Sequence, residues 1–338
     1  MVLVSAETNE NSNYLFIELY IPNGTPAESF KIYTGKKHVT YQLKARNNQN
    51  KSLMGLNPSD LVYLITPDRF ANGNTKNDVI KGMKEEVVNR AEPYDRHGGD
   101  IAGMQSKIDY FSDLGVTALW INPLLENDQP KESYHGYAIT DHYLIDPRFG
   151  TNAEYKAFID ACHAKGIKVI MDVVYNHFGN EHYLIKDRPE NDFVHNWPEF
   201  TQTNYRATSL HDPYASELDK KLMTDGWLDK HMPDINQKNS HVAKYMTQNS
   251  IWWIEEFGID AFRIDTYAYP DKDYMSQFAK RIAGEYPQFF MFGEAWVHGP
   301  QVQSWFVENN PQNPNNTNLQ SVTDFQLAFA LQKGLKEK

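Results

Sequence analysis

The stretch GIDAFRID (258–265) is apolar enough for a buried strand, yet it carries Arg263 and Asp265. Two positions apart on a strand, these side chains point to the same face. Buried charges are costly unless paired and hydrogen-bonded, so the pair is either a structural ion pair or one kept for chemistry. Two other strand-like runs end in similar residues. DVVYNH (172–177) supplies Asp172, Asn176 and His177, and FGEAW (292–296) supplies Glu294. A lone Glu at a strand end is more often structural. Three carboxylates, an Arg and a His on consecutive strand ends are instead a set that can give and take protons around one polar bond.

The elements that must bring them together alternate. LVYLITP (61–67) reads as a first strand. A helix carrying Met104, Ile108, Phe111 and Leu114 on one face then stops at Gly115, before VTALWINP. The next helix opens with the capping box Thr151-Asn-Ala-Glu154, stripes Tyr155, Phe158, Ile159 and Cys162, and stops at Gly166 before IKVIMDVVYN. Another ends at Gly258 before IDAFRID. One with Met275, Phe278, Ala279 and Ile282 precedes FFMFGEAW, and SVTDF (321–325) is a sixth strand.

Apolar strands alternating with amphipathic helices predict a parallel sheet covered by helices. An open doubly wound sheet and a closed (β/α)8 TIM barrel compete. No G-x-G-x-x-G follows any strand, and polar residues gather at the C-terminal strand ends, where barrel enzymes carry their catalytic groups. The barrel is preferred. Before it, NYLFIELYI, SFKIYTG and HVTYQLKAR read as strands of a partial β-sandwich, followed by the polar linker NNQNKSLMGLNPSD. The expected organisation is residues 1–50 for the sandwich and linker, 51–177 and 241–338 for the barrel, and 178–240 for an excursion over its mouth.

A net charge of -11 without a Lys/Arg cluster argues against nucleic acid as a partner, and no run of 18 apolar residues suggests a membrane span. Twenty Tyr and seven Trp suit a flat, weakly charged ligand such as a sugar. The single cysteine, Cys162, excludes an internal disulfide and a Cys-based zinc cluster, and its helical face marks it as core. No signal peptide is legible in MVLVSAETNENSNY, which fits a cytoplasmic protein or the mature part of an exported one.

GVTALWINP, YHGYAITDHYLIDPRFG, DVVYNH, MPDIN, GIDAFRID and FGEAW, in that order, resemble the motifs of the α-amylase superfamily of glycoside hydrolases, and most its cyclomaltodextrinase and neopullulanase branch. The resemblance runs from about residue 57 to the end. It implies a retaining glycosidase acting on α-1,4-glucosidic bonds of cyclodextrins, pullulan, starch or malto-oligosaccharides. Asp265 matches the nucleophile and Glu294 the general acid/base. Such a mechanism needs one ionised and one protonated carboxyl. Arg263 would keep the nucleophile ionised. His135 and His177 match histidines that bind sugar hydroxyls, Tyr137 the ring stacked beneath the sugar, and Asp172 and Asn176 residues that support the site. For Asp234 and Asn236 in MPDIN, structural and functional readings weigh nearly equally. The branch also implies an α-glucan partner and a homodimer, because its N-terminal domain often completes a partner's site.

A second set suits a metal. ANGNTKND (71–78) crowds Asn72, Asn74, Asn77 and Asp78 into one loop, and GGD brings Asp100 near. Oxygen donors of this kind are what Ca2+ takes. The matching positions in the neopullulanase branch bind calcium, with a backbone carbonyl from the position of Gly98. Some members carry Asp where Asn74 stands, so a structural Ca2+ is expected here with a weaker ligand at that point.

The pattern breaks after Glu294. The family's third carboxylate, in a His-Asp pair after the seventh strand, has no match: Asp324 belongs to the sixth-strand segment, and His211-Asp212 precedes the nucleophile. About six of eight strands are legible, so a piece of a longer enzyme, inactive by itself, is expected. Two other functions stay open. One is a non-catalytic α-glucan-binding protein of the same fold, and the other a metal-dependent barrel hydrolase.

Overall fold

The computed structural model describes residues 2–22, 24–46, 54–205 and 209–337. Residues 47–53 of the expected linker lie outside them. Val2–Glu7 (β1) pairs antiparallel with Phe16–Tyr20 (β2), and Glu28–Thr34 (β3) with Lys37–Leu43 (β4). The sequence reading has no strand before residue 13, and β1 corrects it. VLVSAE is short and lacks turn residues at its start, so its extended form is decided by pairing with β2.

Val62–Ile65 (β5) and Ala118–Ile121 (β6) follow, then the short antiparallel pair Leu125–Glu126 (β7) and Asp141–Ile145 (β8). Lys168–Val174 (β9), Ala261–Asp265 (β10), Phe290–Gly293 (β11) and Ser321–Val322 (β12) complete the strands. Six of them form one parallel sheet in the order β5, β6, β9, β10, β11, β12. Spatial order equals chain order, as in a barrel, whereas a doubly wound sheet reverses. The sheet curls as an incomplete (β/α)8 barrel.

Its two faces carry different cores. Leu119, Ile121, Val169, Met171, Phe262, Ile264 and Met291 belong to the large core shared with the helices. The concave face holds a small second core of Ala118, Ile170 and Ala261, rimmed by Leu56, Trp120, Phe290 and Phe292. At the β5 edge of this face Val62 is 40% and Leu64 51% exposed.

The helices follow their sequence signals. Asn152–Ala164 starts with the expected capping box, and Tyr155, Phe158, Ile159 and Cys162 are buried. Ser240–Phe257 is capped by Asn239 and ends at Gly258, whose φ of 75° needs no Cβ. Lys272–Glu285 buries Met275, Phe278, Ala279 and Ile282. One helix is corrected. The face of Met104, Ile108, Phe111 and Leu114 lies on two short helices, Ile101–Gln105 and Ile108–Asp113, and Leu114 is half exposed at the C-cap. The last helix, Phe325–Lys336, buries none of its residues.

Residues 178–239 leave the end of β9 and return through the bridges His177↔Asp234 and Val194↔Ile235. The N-terminal hairpin ties down this excursion and the helix Ser240–Phe257 that follows it. Asn11 Nδ2 donates to the Asp187 carboxylate at 2.6 Å, the Tyr14 hydroxyl donates to the Asp187 carbonyl at 2.6 Å, and the Phe16 ring stacks on His241 at 3.6 Å.

Candidate active site

Parallel register sets Asp172 of β9, Arg263 of β10 and Phe292 of β11 side by side on the concave face. Asp265 ends β10 and Glu294 follows β11, so their side chains rise from neighbouring strand ends. Arg263 Nη1 donates to Asp172 Oδ1 at 2.8 Å and to Asp265 Oδ1 at 2.7 Å, and its Nη2 reaches Glu294 Oε2 at 3.0 Å. One guanidinium therefore touches three carboxylates from three strands. Arg263, Asp265 and Asp172 are all buried. Glu294 Oε2 also accepts the Thr266 amide at 3.0 Å. Thr266 adopts a left-handed φ of 48°, a strained conformation for this residue type, directly after Asp265.

Burial is the largest influence on each carboxyl and raises it. For Asp265, Arg263 opposes the rise and the charge on Asp172 adds to it. For Glu294, Asp265 adds to the rise and Arg263 opposes it. Asp172 is raised by burial against Arg263 and the indole of Trp120. Burial works against the charge of Arg263, but the three carboxylates outweigh it and hold the guanidinium above its ordinary value. The cluster can thus keep a proton on one carboxyl while another stays ionised against the guanidinium.

The other expected residues fall into two groups. The Tyr137 hydroxyl donates to Asp172 Oδ2 at 3.1 Å and accepts from Asn122 Nδ2 at 2.9 Å, which joins it to the cluster. His135 accepts the Tyr137 amide on Nδ1 at 2.9 Å and stacks with that ring, and burial pushes its pKa down to about 4. His177 Nε2 contacts the Tyr137 carbonyl at 3.0 Å, and burial pushes it down to about 3. Both imidazoles are therefore neutral at ordinary pH. Because an acceptor faces Nε2 of His177, that nitrogen carries the proton.

Asn176, Asp234 and Asn236 do not bond the guanidinium cluster. The Asn176 carbonyl accepts the Ile235 amide, and Asn236 Nδ2 donates to Asp192 O at 3.0 Å. Asp234 is fully buried, bonds His195 Nδ1 at 2.6 Å and is pushed up to about 7, chiefly by burial. The sequence reading missed Trp120 and Asn122. Trp120 Nε1 donates to Asp172 Oδ2 at 2.9 Å. A signal was present: in ALWINP the two alternate at a strand end, on the face that Arg263 and Asp265 share on theirs.

The loop 72–78 closes on residues 98–100. Asn72 Nδ2 donates to Asp78 Oδ1 at 2.6 Å, and a Cβ on Gly98 would lie 2.9 Å from both atoms. Oδ1 of Asn72 and Oδ1 of Asn77 are buried without a hydrogen-bond partner. Asp100 is buried, and its carboxylate accepts the amides of Gly73 at 2.9 Å, Asn74 at 2.8 Å and Gly103 at 2.6 Å. Among the described residues no three His, Cys, Asp or Glu side chains converge as metal ligands. Orphaned amide oxygens beside a carboxylate nevertheless fit a hard cation such as Ca2+.

Comparison with known proteins agrees with this geometry. A family model described as "Alpha amylase, catalytic domain" matches residues 64–333. Over 247 residues the chain is 31% identical to a cyclomaltodextrinase of Thermoanaerobacter pseudethanolicus, covering 70% of this chain and 39% of that one. It is 30% identical over 251 residues to an intracellular maltogenic amylase of Bacillus subtilis, with 70% and 38% covered. The crystal structure of an Anoxybacillus α-amylase superposes with a TM-score of 0.66 at 30% identity, over 84% of this chain and 54% of that one. The chain spans about two fifths of the length of the curated relatives it matches.

Proposed function

Because this chain belongs to the α-amylase catalytic-domain family, we propose that it carries most of the active site of a retaining glycoside hydrolase that cleaves α-1,4-glucosidic bonds in cyclodextrins, pullulan, starch or malto-oligosaccharides. The contact of Arg263 with Asp172, Asp265 and Glu294 supports the reading most directly. Asp265 attacks the anomeric carbon and forms a glycosyl-enzyme. Glu294 gives its proton to the leaving oxygen, then takes one from the water that releases the sugar. Arg263 keeps Asp265 ionised while burial keeps the proton on Glu294. His135 and His177, both neutral, and the ring of Tyr137 form the sugar's surroundings in the cleavage subsite.

A structural Ca2+ would be held by Asn72, Asn77, Asp78 and the Gly98 carbonyl, with Asn74 and Asp100 closing the loop around it. Bound there it would cross-link two parts, 71–78 and 98–100, of the one connection that leaves the first barrel strand.

Reducing-sugar release from cyclodextrin, pullulan and starch tests this, with the present chain beside one extended through a His-Asp pair, each with an Asp265→Asn control. Turnover by the extended form alone, abolished by Asp265→Asn, is the expected result. Two folded but inactive lengths that still bind glucan would instead favour a non-catalytic binding protein.

A further inference from the structure

We propose that Trp120 is a positioning residue of this site: its indole holds the Asp172 carboxylate through N–H and floors the Arg263 guanidinium through its ring. The consequence for turnover rests on the glycosidase reading; the contact itself does not.

Asp172 is the member of the cluster furthest from the chemistry proposed for Asp265 and Glu294, yet it is the most heavily bonded. Its Oδ1 takes Arg263 Nη1, and its Oδ2 takes the Trp120 indole at 2.9 Å and the Tyr137 hydroxyl at 3.1 Å. Trp120 stands on β6 between Leu64 and Ile170, one layer below Asp172 in strand register. From there the indole reaches up. The Arg263 guanidinium carbon lies 5.2 Å from the ring centroid, within cation–π range. Phe292, the β11 neighbour of Arg263, meets the same ring edge-on at 5.6 Å.

The residue type matters. An indole N–H can donate but never accept, so it favours the ionised form of Asp172. A phenol in its place has a hydroxyl that can turn and accept instead. A tryptophan supplies in one rigid ring both a donor for the anion and an electron-rich face for the cation. Fixing Asp172 fixes Nη1 of Arg263, and with it the nitrogen that also holds Asp265. Trp120 thus acts on the reacting carboxylates through two intermediaries.

The test uses the chain with 15N-labelled tryptophan. Trp120→Phe keeps a ring over Arg263, deletes the N–H and identifies the Trp120 signal among the seven indoles. Asp172→Asn should move that signal upfield, because a carboxylate acceptor becomes a neutral amide; an unmoved signal overturns the proposal. In a form that turns over glucan, Trp120→Phe should lower kcat roughly tenfold, as for loss of a hydrogen bond to a charged group, with KM within about twofold. It should also move the acid limb of the pH profile to lower pH, since Asp172 loses a donor to its ionised form and a less charged Asp172 raises Asp265 less. A fall in activity matched by a smaller folded fraction, with an unchanged pH profile, would reduce Trp120 to packing and overturn the positioning role. Absence of turnover in every form would sink the glycosidase reading alone, and the indole signal would then decide the proposal.

Discussion

Two buried carboxylates and a partly buried third around one guanidinium cannot all ionise without leaving excess negative charge where water is scarce. Burial first, and then the charge of a neighbouring carboxylate, raises both Asp265 and Glu294, and the signs can be followed into kinetics. As nucleophile, Asp265 must be ionised, so activity climbs as pH rises through its elevated pKa. As acid, Glu294 must be protonated, so activity falls as pH passes through its own. We expect a bell-shaped pH profile whose acid limb lies above the ordinary aspartate range. Glu294→Gln should abolish the alkaline limb in whatever activity remains, tested with a substrate whose leaving group needs no proton. The neutral histidines should shape neither limb, because His135 and His177 titrate near 4 and 3. A limb that follows a His177→Asn substitution would contradict this.

At the scale of elements, the connections carry testable energies. The capping box at Thr151 satisfies two otherwise free amides, and Thr151→Ala should cost about 1 kcal/mol, read as a lower urea midpoint at unchanged slope. A second junction lies where β8 meets the excursion. His182 Nδ1 accepts the Leu184 amide at 3.0 Å, so its Nε2 carries the proton and donates to His142 Nδ1 at 3.0 Å, with both rings buried. Burial pushes His182 down to about 3, below its unfolded value. The folded state stays neutral while the unfolded chain takes up a proton, so this group's stabilisation is complete above pH ~6.5 and is lost as pH falls toward 3. His182→Asn keeps an acceptor for Leu184 and should flatten the pH dependence of unfolding free energy below pH 6.5 by about 1.4 kcal/mol per unit. An unchanged slope would place the titration elsewhere.

These elements also show what a sequence exposes and what it hides. The parallel order of β5, β6, β9, β10, β11 and β12 was legible because each strand is apolar and most of the helices between them show a stripe or a stop, with a cap as well at Thr151. The Arg263 cluster was legible because period-two alternation fixes which side chains share a face. Trp120 was passed over despite its alternation with Asn122, since an indole in an apolar strand reads as packing until Asp172 lies within reach of it. The break after Gln105 was hidden for another reason: the apolar spacing of Met104, Ile108 and Phe111 continues across it. Strand β1 depended on a partner, which local pattern does not record.

For the molecule as a whole, the concave face of the sheet is the exposed surface that counts. Val62, Leu64, Trp120, Phe290 and Phe292 would be interior in a closed barrel, and here they rim a face open between the β5 and β12 edges. Beside it the helix Phe325–Lys336 keeps Leu327, Leu331 and Leu335 in solvent. The chain should therefore bind anilinonaphthalene sulfonate strongly in native buffer. Fluorescence no greater than that of a closed barrel would mean that this face is covered in solution. The ties between the N-terminal strands and the excursion have a different outcome. Asn11 and Tyr14 are made early in synthesis, but Asp187 emerges more than 170 residues later, and His241, the partner of Phe16, later still. On the ribosome these contacts must wait, and the wall of the cleft can lock only after the first three parallel strands, β5, β6 and β9, exist.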